Sequence, residues 1–167
     1  MEYRRVHSPG GTFFFTVLTF NRQTIFNHKN ARTVLRDAFQ HVRKNHPFTI
    51  DAIVLLPDHL HTIWTLPEDD GDYPTRWRLI KSYFTRNWKD RPIVQSASRI
   101  KKGEQAVWQR RYWEHQIRDE DDFIQHVEYI HYNPVKHELV SAPHLWSHSS
   151  FHDFVKRGVY EQDWGAA

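Results

Sequence analysis

The pair His59-Leu60-His61 is the first place along the chain where residue types and spacing suggest chemistry. In an extended strand alternate side chains share a face, so these two imidazoles project together and can share one metal ion. A chain with 13 histidines in 167 residues contains about one His-x-His by chance, which sets the weight of the motif taken singly. A solvated or hydrogen-bonded strand pair is the other role open to it.

A second set lies further along the chain. Phe123, Ile124, Val127 and Ile130 fall in one apolar arc at helical spacing. Tyr129 and Asn133 stack one turn apart on its flank, with His126 one turn further back. One role for them is structural: Tyr129 as a boundary aromatic, Asn133 as the residue that ends a helix before Pro134. The other is catalytic. His59, His61 and Asn133 would hold a divalent metal with open positions for phosphate oxygens, and Tyr129 would attack the phosphorus. A phenol with a pKa near 10 is only about a thousandth ionised at pH 7, so it needs a metal's charge or a base. A phosphotyrosine link would retain the energy of the broken phosphodiester, and strand transfer would need no ATP. Histidines serve as ligands only while neutral, so unperturbed imidazoles predict a loss of function below about pH 6.5.

Composition narrows the alternatives. There is no cysteine, which excludes disulfide scaffolds, thiolate zinc sites, iron–sulfur clusters and cysteine nucleophiles. Only 6 glycines are present, and neither the dinucleotide fingerprint nor the Walker pattern occurs, so no nucleotide cofactor is expected. The 23 Lys+Arg against 20 Asp+Glu and a pI near 9.2 are compatible with a polyanionic partner. The longest strongly apolar stretch, Phe13 to Phe20, is too short to span a bilayer, and the N-terminus resembles no signal peptide. A soluble, cytoplasmic protein without a membrane partner is expected.

The elements that must position these residues follow from periodicity. Residues 13–20 read as a central strand. From Asn30 to Asn45 the apolar positions 31, 34, 35, 38, 39 and 42 form an amphipathic helix closed by Pro47. Residues 48–56 and 60–66 read as a hairpin about Pro57-Asp58. Trp77, Ile80, Phe84 and Trp88 mark a second helix with Arg78, Lys81 and Lys89 on another side. Residues 90–106 read as an exposed loop, 107–117 as a fourth strand, and a third helix starts at the acidic run 119–122 and runs to Pro134. The order predicts an α+β fold: a ferredoxin-like βαββαβ antiparallel sheet with helices on one face, plus an additional C-terminal helix and tail. Residues 1–140 would form the domain, and residues 141–167, rich in His and Trp, a tail packing on it.

The segments PDHLHTIW (57–64), VWQRRYWEHQIRDEDDF (107–123) and HVEYIHYNPVKHELV (126–140) resemble those of the REP-associated tyrosine transposases. These are single-domain relatives of the insertion-sequence transposases with one catalytic tyrosine, within the superfamily of His-hydrophobic-His endonucleases. The resemblance spans about residues 12–151. It implies Mg²⁺ or Mn²⁺ dependence and cleavage of single-stranded DNA at the foot of extragenic palindromic hairpins, leaving a 5′-phosphotyrosine. The bacterial protein would act on nucleoid-associated DNA, as a monomer or a homodimer. By motif, His59 and His61 match the histidine pair, Tyr129 the nucleophile and Asn133 the third ligand. Asn133 stands where the broader transposases have Gln, Glu138 where Gly is usual, and His148 interrupts a Trp-Ser-Ser-Phe run. Tyr132 is the rival nucleophile and His126 the rival ligand; the helical wheel favours Tyr129, which shares a flank with Asn133.

For DNA contact, Arg4, Arg5, Arg22, Arg78, Lys81, Lys89, Arg110 and Arg111 supply charge interleaved with aromatic surface. The competing reading is a noncatalytic DNA or RNA hairpin-binding module with the same fold.

Overall fold

Side chains leave the first strand in two directions, and a two-faced sheet follows. Phe13, Phe15 and Val17 of β1 (Thr12–Leu18) enter one core, while Phe14 between them enters another. The protein, seen in a computed structural model, is described over residues 8–90 and 107–166. β1 lies between β3 (His59–Thr65) and β4 (Trp113–Gln116), and β2 (Thr49–Leu55) pairs with the far side of β3. Every pairing is antiparallel, in the order β2-β3-β1-β4. This is the ferredoxin-like sheet.

α1 (Lys29–Asn45) and α2 (Tyr73–Asn87) pack against each other on one face. α1 buries Ala31, Leu35, Ala38, Phe39 and Val42, all five on the predicted stripe at its i, i+4, i+7, i+8 and i+11 positions. α2 opens with Asp72 accepting from the Thr75 backbone N–H at 3.1 Å and with Pro74 in its first turn. Between these helices Arg76 is buried, held by both carboxylate oxygens of Asp70 and by the carbonyls of His46, Pro47 and Asp72. That buried cation carries no signature in the sequence.

The third helix, α3 (Glu120–Lys136), covers the opposite face, where Val127 and Ile130 meet Phe14, Ala52, Val54 and Ile63. Asp119 caps it by accepting from the Asp122 N–H at 2.8 Å. Three expectations change here. Ile124, placed by the wheel in the apolar arc, is 45% exposed, whereas Asn133, placed on the flank, is fully buried. The helix also runs past Pro134 to Lys136, because a proline so close to the end removes one intrahelical hydrogen bond and the last turn closes by other means. Glu138 N–H donates to the Val135 carbonyl and Leu139 N–H to that of Pro134, a Schellman closure with Glu138 at φ +58°. The fourth strand is also shorter than residues 107–117. Val107 and Trp108 are drawn instead into the α1/α2 core, with Trp108 bridging Thr19.

Residues 141–166 fold back onto α3 and the free edge of β2. Trp146 donates its indole N–H to the Leu55 carbonyl, and Leu55 and Ser150 backbone N–H groups bond to His148 and Ile53 carbonyls. A short helix α4 (Phe151–Lys156) contributes Phe151 and Phe154 to an aromatic cluster with Tyr160 and Trp164. His131 joins it from α3, bonded to Ser150 Oγ at 2.9 Å and the Tyr160 hydroxyl at 3.1 Å. Burial first, then the positive charge of Arg157 and His152, pushes His131 down to about 3.

Two outcomes follow. Glycine adopts a positive φ without the steric penalty that glutamate meets, so Glu138→Gly should raise stability by about 1 kcal/mol, read as a higher urea midpoint at unchanged m-value. His131 takes its proton in the unfolded chain near pH 6.5 but in the folded one only near 3. Its neutral form therefore supports stability fully above pH 6.5 and progressively less as pH falls towards 3, at up to about 1.4 kcal/mol per pH unit. Thermal melts of His131→Gln across that window should be flatter by about one proton than those of the parent.

Candidate active site

Strand register decides which face the histidine pair occupies. His61 pairs with Thr16 and His59 with Leu18, while Leu60 and Trp64 point into the α1/α2 core. The alternate residues His59, His61 and Ile63 therefore face α3. Both imidazoles are buried, with ring centroids 4.9 Å apart.

Each ring is fixed through Nδ1. His61 Nδ1 lies 2.7 Å from Thr16 Oγ1, and His59 Nδ1 lies 2.6 Å from Asp58 Oδ1. With Nδ1–H donating in each case, both Nε2 atoms keep a lone pair, the arrangement by which proteins orient metal-binding histidines. Asp58 is held in turn by Arg22, whose Nε donates to Oδ2 at 2.8 Å. Arg22 reaches it from a left-handed turn, with Asn21 and Arg22 at φ +53° and +54°. Burial works to raise Asp58, but hydrogen bonds from Arg22 and His59 outweigh it and leave the carboxyl below its ordinary range.

Opposite the pair, Asn133 projects from α3. Its Oδ1 and Nδ2 and the Nε2 of His61 are buried with no hydrogen-bond partner, although the carboxamide is close enough to His61 to favour its protonated form. Buried polar atoms are ordinarily paired, so three unpaired ones gathered between β3 and α3 mark a place suited to a polar ligand. Two imidazole nitrogens and an amide oxygen suit a divalent cation, and the residues present fit one.

Protonation agrees with that use. Burial above all, with repulsion from His59, His137 and Lys136, pushes His61 down to about 3. His59 is lowered too, again by burial, against the pull of Asp58. The limit near pH 6.5 expected from free imidazoles is therefore too high for this pair.

Tyr129 meets His61 edge-on at 5.2 Å, is 37% exposed, and carries Lys136 Nζ 4.7 Å above its ring centroid. Tyr132 points to the tail, where it meets Trp164. His126 lies apart from the pair, with the Phe14 ring 4.8 Å from it and 5.7 Å from His61. His137 stands 5.1 Å from His59. Thr16, Asp58, Lys136 and His137 were not singled out from the sequence as site residues. Lys136 and His137 had a usable signal, since they follow Tyr129 by seven residues and Asn133 by four and so share its helix side. Thr16 had none, because only pairing across strands brings it to His61.

The basic residues divide. Arg22 abuts the histidines, with Nη2 3.4 Å from His59 Nδ1. Arg78, Lys81 and Lys89 belong to the α2 layer on the other side of the sheet, where Lys81 and Lys89 donate to the Gln109 and Arg86 carbonyls. Arg110 and Arg111 are exposed just before β4, and Arg4 and Arg5 lie outside the described residues.

A ferredoxin-like sheet carrying a buried His-x-His pair, faced by a helix with Tyr and Asn one turn apart, is the arrangement of the His-hydrophobic-His class of proteins. Residues 12–133 match the family described as Transposase IS200 like. A REP-associated tyrosine transposase of Escherichia coli strain K12 is 44% identical over 163 residues, covering 98% of this chain and 90% of that protein. A Haemophilus influenzae relative assigned to the same group is 40% identical over 164 residues, covering 98% and 93%. A solved REP-associated tyrosine transposase bound to a REP hairpin superposes with a TM-score of 0.83 at 42% identity, covering all 100% of this chain and 92% of that one. The chain belongs to the REP-associated tyrosine transposases within the IS200-like transposase family. It is a DNA-processing enzyme of transposase type.

Thr16→Val would leave the Nδ1–H of His61 buried and unbonded. It should cost about 1–3 kcal/mol of stability in urea unfolding, and Thr16→Ser should restore most of it.

Proposed function

We propose that the chain is a metal-dependent single-stranded DNA endonuclease and strand transferase that acts at palindromic hairpins through a covalent 5′-phosphotyrosine link to Tyr129. The observation that supports it most is the meeting of orphaned His61 and Asn133 atoms beside an accessible tyrosine ring. The hairpin partner is carried over from the relative solved with one.

His59, His61 and Asn133 would hold Mg²⁺ or Mn²⁺. Such an ion, when bound, polarises the scissile phosphate and offsets its negative charge. The remaining work falls to the chain's own groups. Thr16 and Asp58 keep the two imidazoles in the tautomer with Nε2 free. Tyr129 Oη forms a bond to phosphorus as the bond to the 3′ oxygen breaks, giving a free 3′-hydroxyl and a strand joined to the enzyme by its 5′ phosphate. The phenol loses its proton as it attacks and the departing 3′ oxygen takes one up, while the Lys136 ammonium, 4.7 Å from the Tyr129 ring centroid, places a positive charge beside the reacting groups. Attack by another 3′-hydroxyl on the phosphotyrosine reverses these steps and transfers the strand. Arg22 stands where it can meet a phosphate next to the pair. Among the described residues no helix is long and apolar enough to cross a membrane, and we place the activity with DNA in the cytoplasm.

The test is a denaturing gel of the full chain with labelled single-stranded hairpin DNA from beside its own gene, with Mg²⁺ or chelator. A metal-dependent covalent band retained in Tyr132→Phe and lost in Tyr129→Phe is expected. Tight hairpin binding with no band in the parent protein would favour the noncatalytic binding module instead.

A further inference from the structure

Across the Phe14 ring from the histidine pair lies a second group of donors. His115 of β4 and Asp122 and His126 of α3 each offer a ligand atom, all within 4.8 Å of one another. His115 Nε2 is 2.8 Å from Asp122 Oδ2, and His126 Nδ1 is 3.2 Å from Asp122 Oδ1. The imidazole rings stack at 4.7 Å with only 16° between their planes, so they present their nitrogens side by side to one carboxylate. We propose that His115, Asp122 and His126 form a second metal site, separate from the His59–His61 pair, that takes a transition-metal dication such as Zn²⁺, Co²⁺ or Mn²⁺.

The donor types point to that class of ion. Two imidazoles and a carboxylate, which bring one negative charge to the site, suit Zn²⁺, Co²⁺, Mn²⁺ or Fe²⁺. The spacing is also suitable. Bonds of about 2.1 Å put neighbouring donors about 3.0–3.4 Å apart in octahedral or tetrahedral sites, close to the 2.8 and 3.2 Å between the histidine nitrogens and the two Asp122 oxygens, and a small inward turn of the partly exposed imidazoles closes the 4.8 Å limit of the whole set. Its carboxylate is buried yet fully charged. Burial works to raise it, but hydrogen bonds from the Arg118 backbone N–H and His115, with the nearby charge of both histidines, bring it to about 2. The histidine side chains are 28% and 24% exposed, which leaves room for water on the ion.

Binding balances without a redox step. In the present state the bridging positions are held by protons, from His115 Nε2 to Asp122 Oδ2 and from His126 Nδ1 to Asp122 Oδ1 and the Asp122 carbonyl. A dication takes both bridging positions as each neutral imidazole shifts its single N–H to its other ring nitrogen, so no proton is gained or lost. Among the described residues, the cation paired with Asp122 is Arg118, whose Nε stands 3.5 Å from Asp122 Oδ2 on a side chain 75% exposed and able to turn away. The bound ion would tie β4 to the first turn of α3, and through His126 it would brace Phe14, which lies against both His61 and Tyr129.

The test is independent of the catalytic reading. The full chain carrying His59→Ala and His61→Ala is titrated with Co²⁺ in metal-free buffer, with visible absorption and metal analysis after dialysis, and its folding is checked by circular dichroism. One Co²⁺ per chain with d–d absorption is expected, and both should be lost when His115→Ala and His126→Ala are added. A folded protein that retains no Co²⁺ would overturn the site and leave the trio as a hydrogen-bonded clamp. Should the quadruple variant fail to fold, His115→Gln in the parent chain decides the matter. A loss of one equivalent of Co²⁺ upholds the proposal, and an unchanged stoichiometry overturns it.

Discussion

The antiparallel pairing of β1 with β3 is the constraint on which the rest depends. Its register sets Thr16 against His61, so that one hydroxyl fixes an imidazole while the neighbouring side chains on both strands enter the opposite core. A slip of one residue would send both histidines into the α1/α2 layer and Leu60 and Trp64 towards α3. The aromatic packing against Trp64, from Phe15 at 4.9 Å, Phe48 at 4.1 Å and Trp77 at 4.2 Å, makes such a slip costly. Core packing on one face of the sheet thereby holds the chemistry on the other.

α3 has conflicting duties and meets them along its length. Its first turn carries the Asp122 network, its middle packs on Phe14 and Ala52, and its end must bury an unpaired carboxamide at Asn133. Burying such a group is unfavourable, and the tail offsets that by clamping the helix from outside through His131, Tyr160 and the Phe151 cluster. The tail in turn closes the exposed edge of β2, which joins sheet, helix and C-terminal segment into one packed body.

Much of the site was legible in the residues alone. The strand period of His59 and His61 and the helical period of Tyr129 and Asn133 are local properties of the backbone, and they require each pair to share a side wherever the element packs. The order of elements was legible for the same reason, since apolar periodicity is written within each segment. The errors fell where local and global preferences part: Ile124 turned outwards, Asn133 buried, Pro134 accommodated inside the last helical turn, and Val107 and Trp108 taken from strand to core. The glutamate at position 138, noticed as a departure from glycine, proved to sit at a positive φ.

The sequence by itself determined the ferredoxin-like order, the family and the donor types, because these depend on residue identity and on spacing within single elements. Only the tertiary structure decided that the histidines face α3 and not the basic helix α2, and that Thr16, Asp58 and Arg22 hold them. It alone brought His115 of β4 to Asp122 and His126 of α3. The decisive relations, Thr16 to His61, Arg22 to Asp58 and His115 to Asp122, each join separate elements. Strand register and the choice of sheet face are settled by packing of the whole molecule, which no local period encodes.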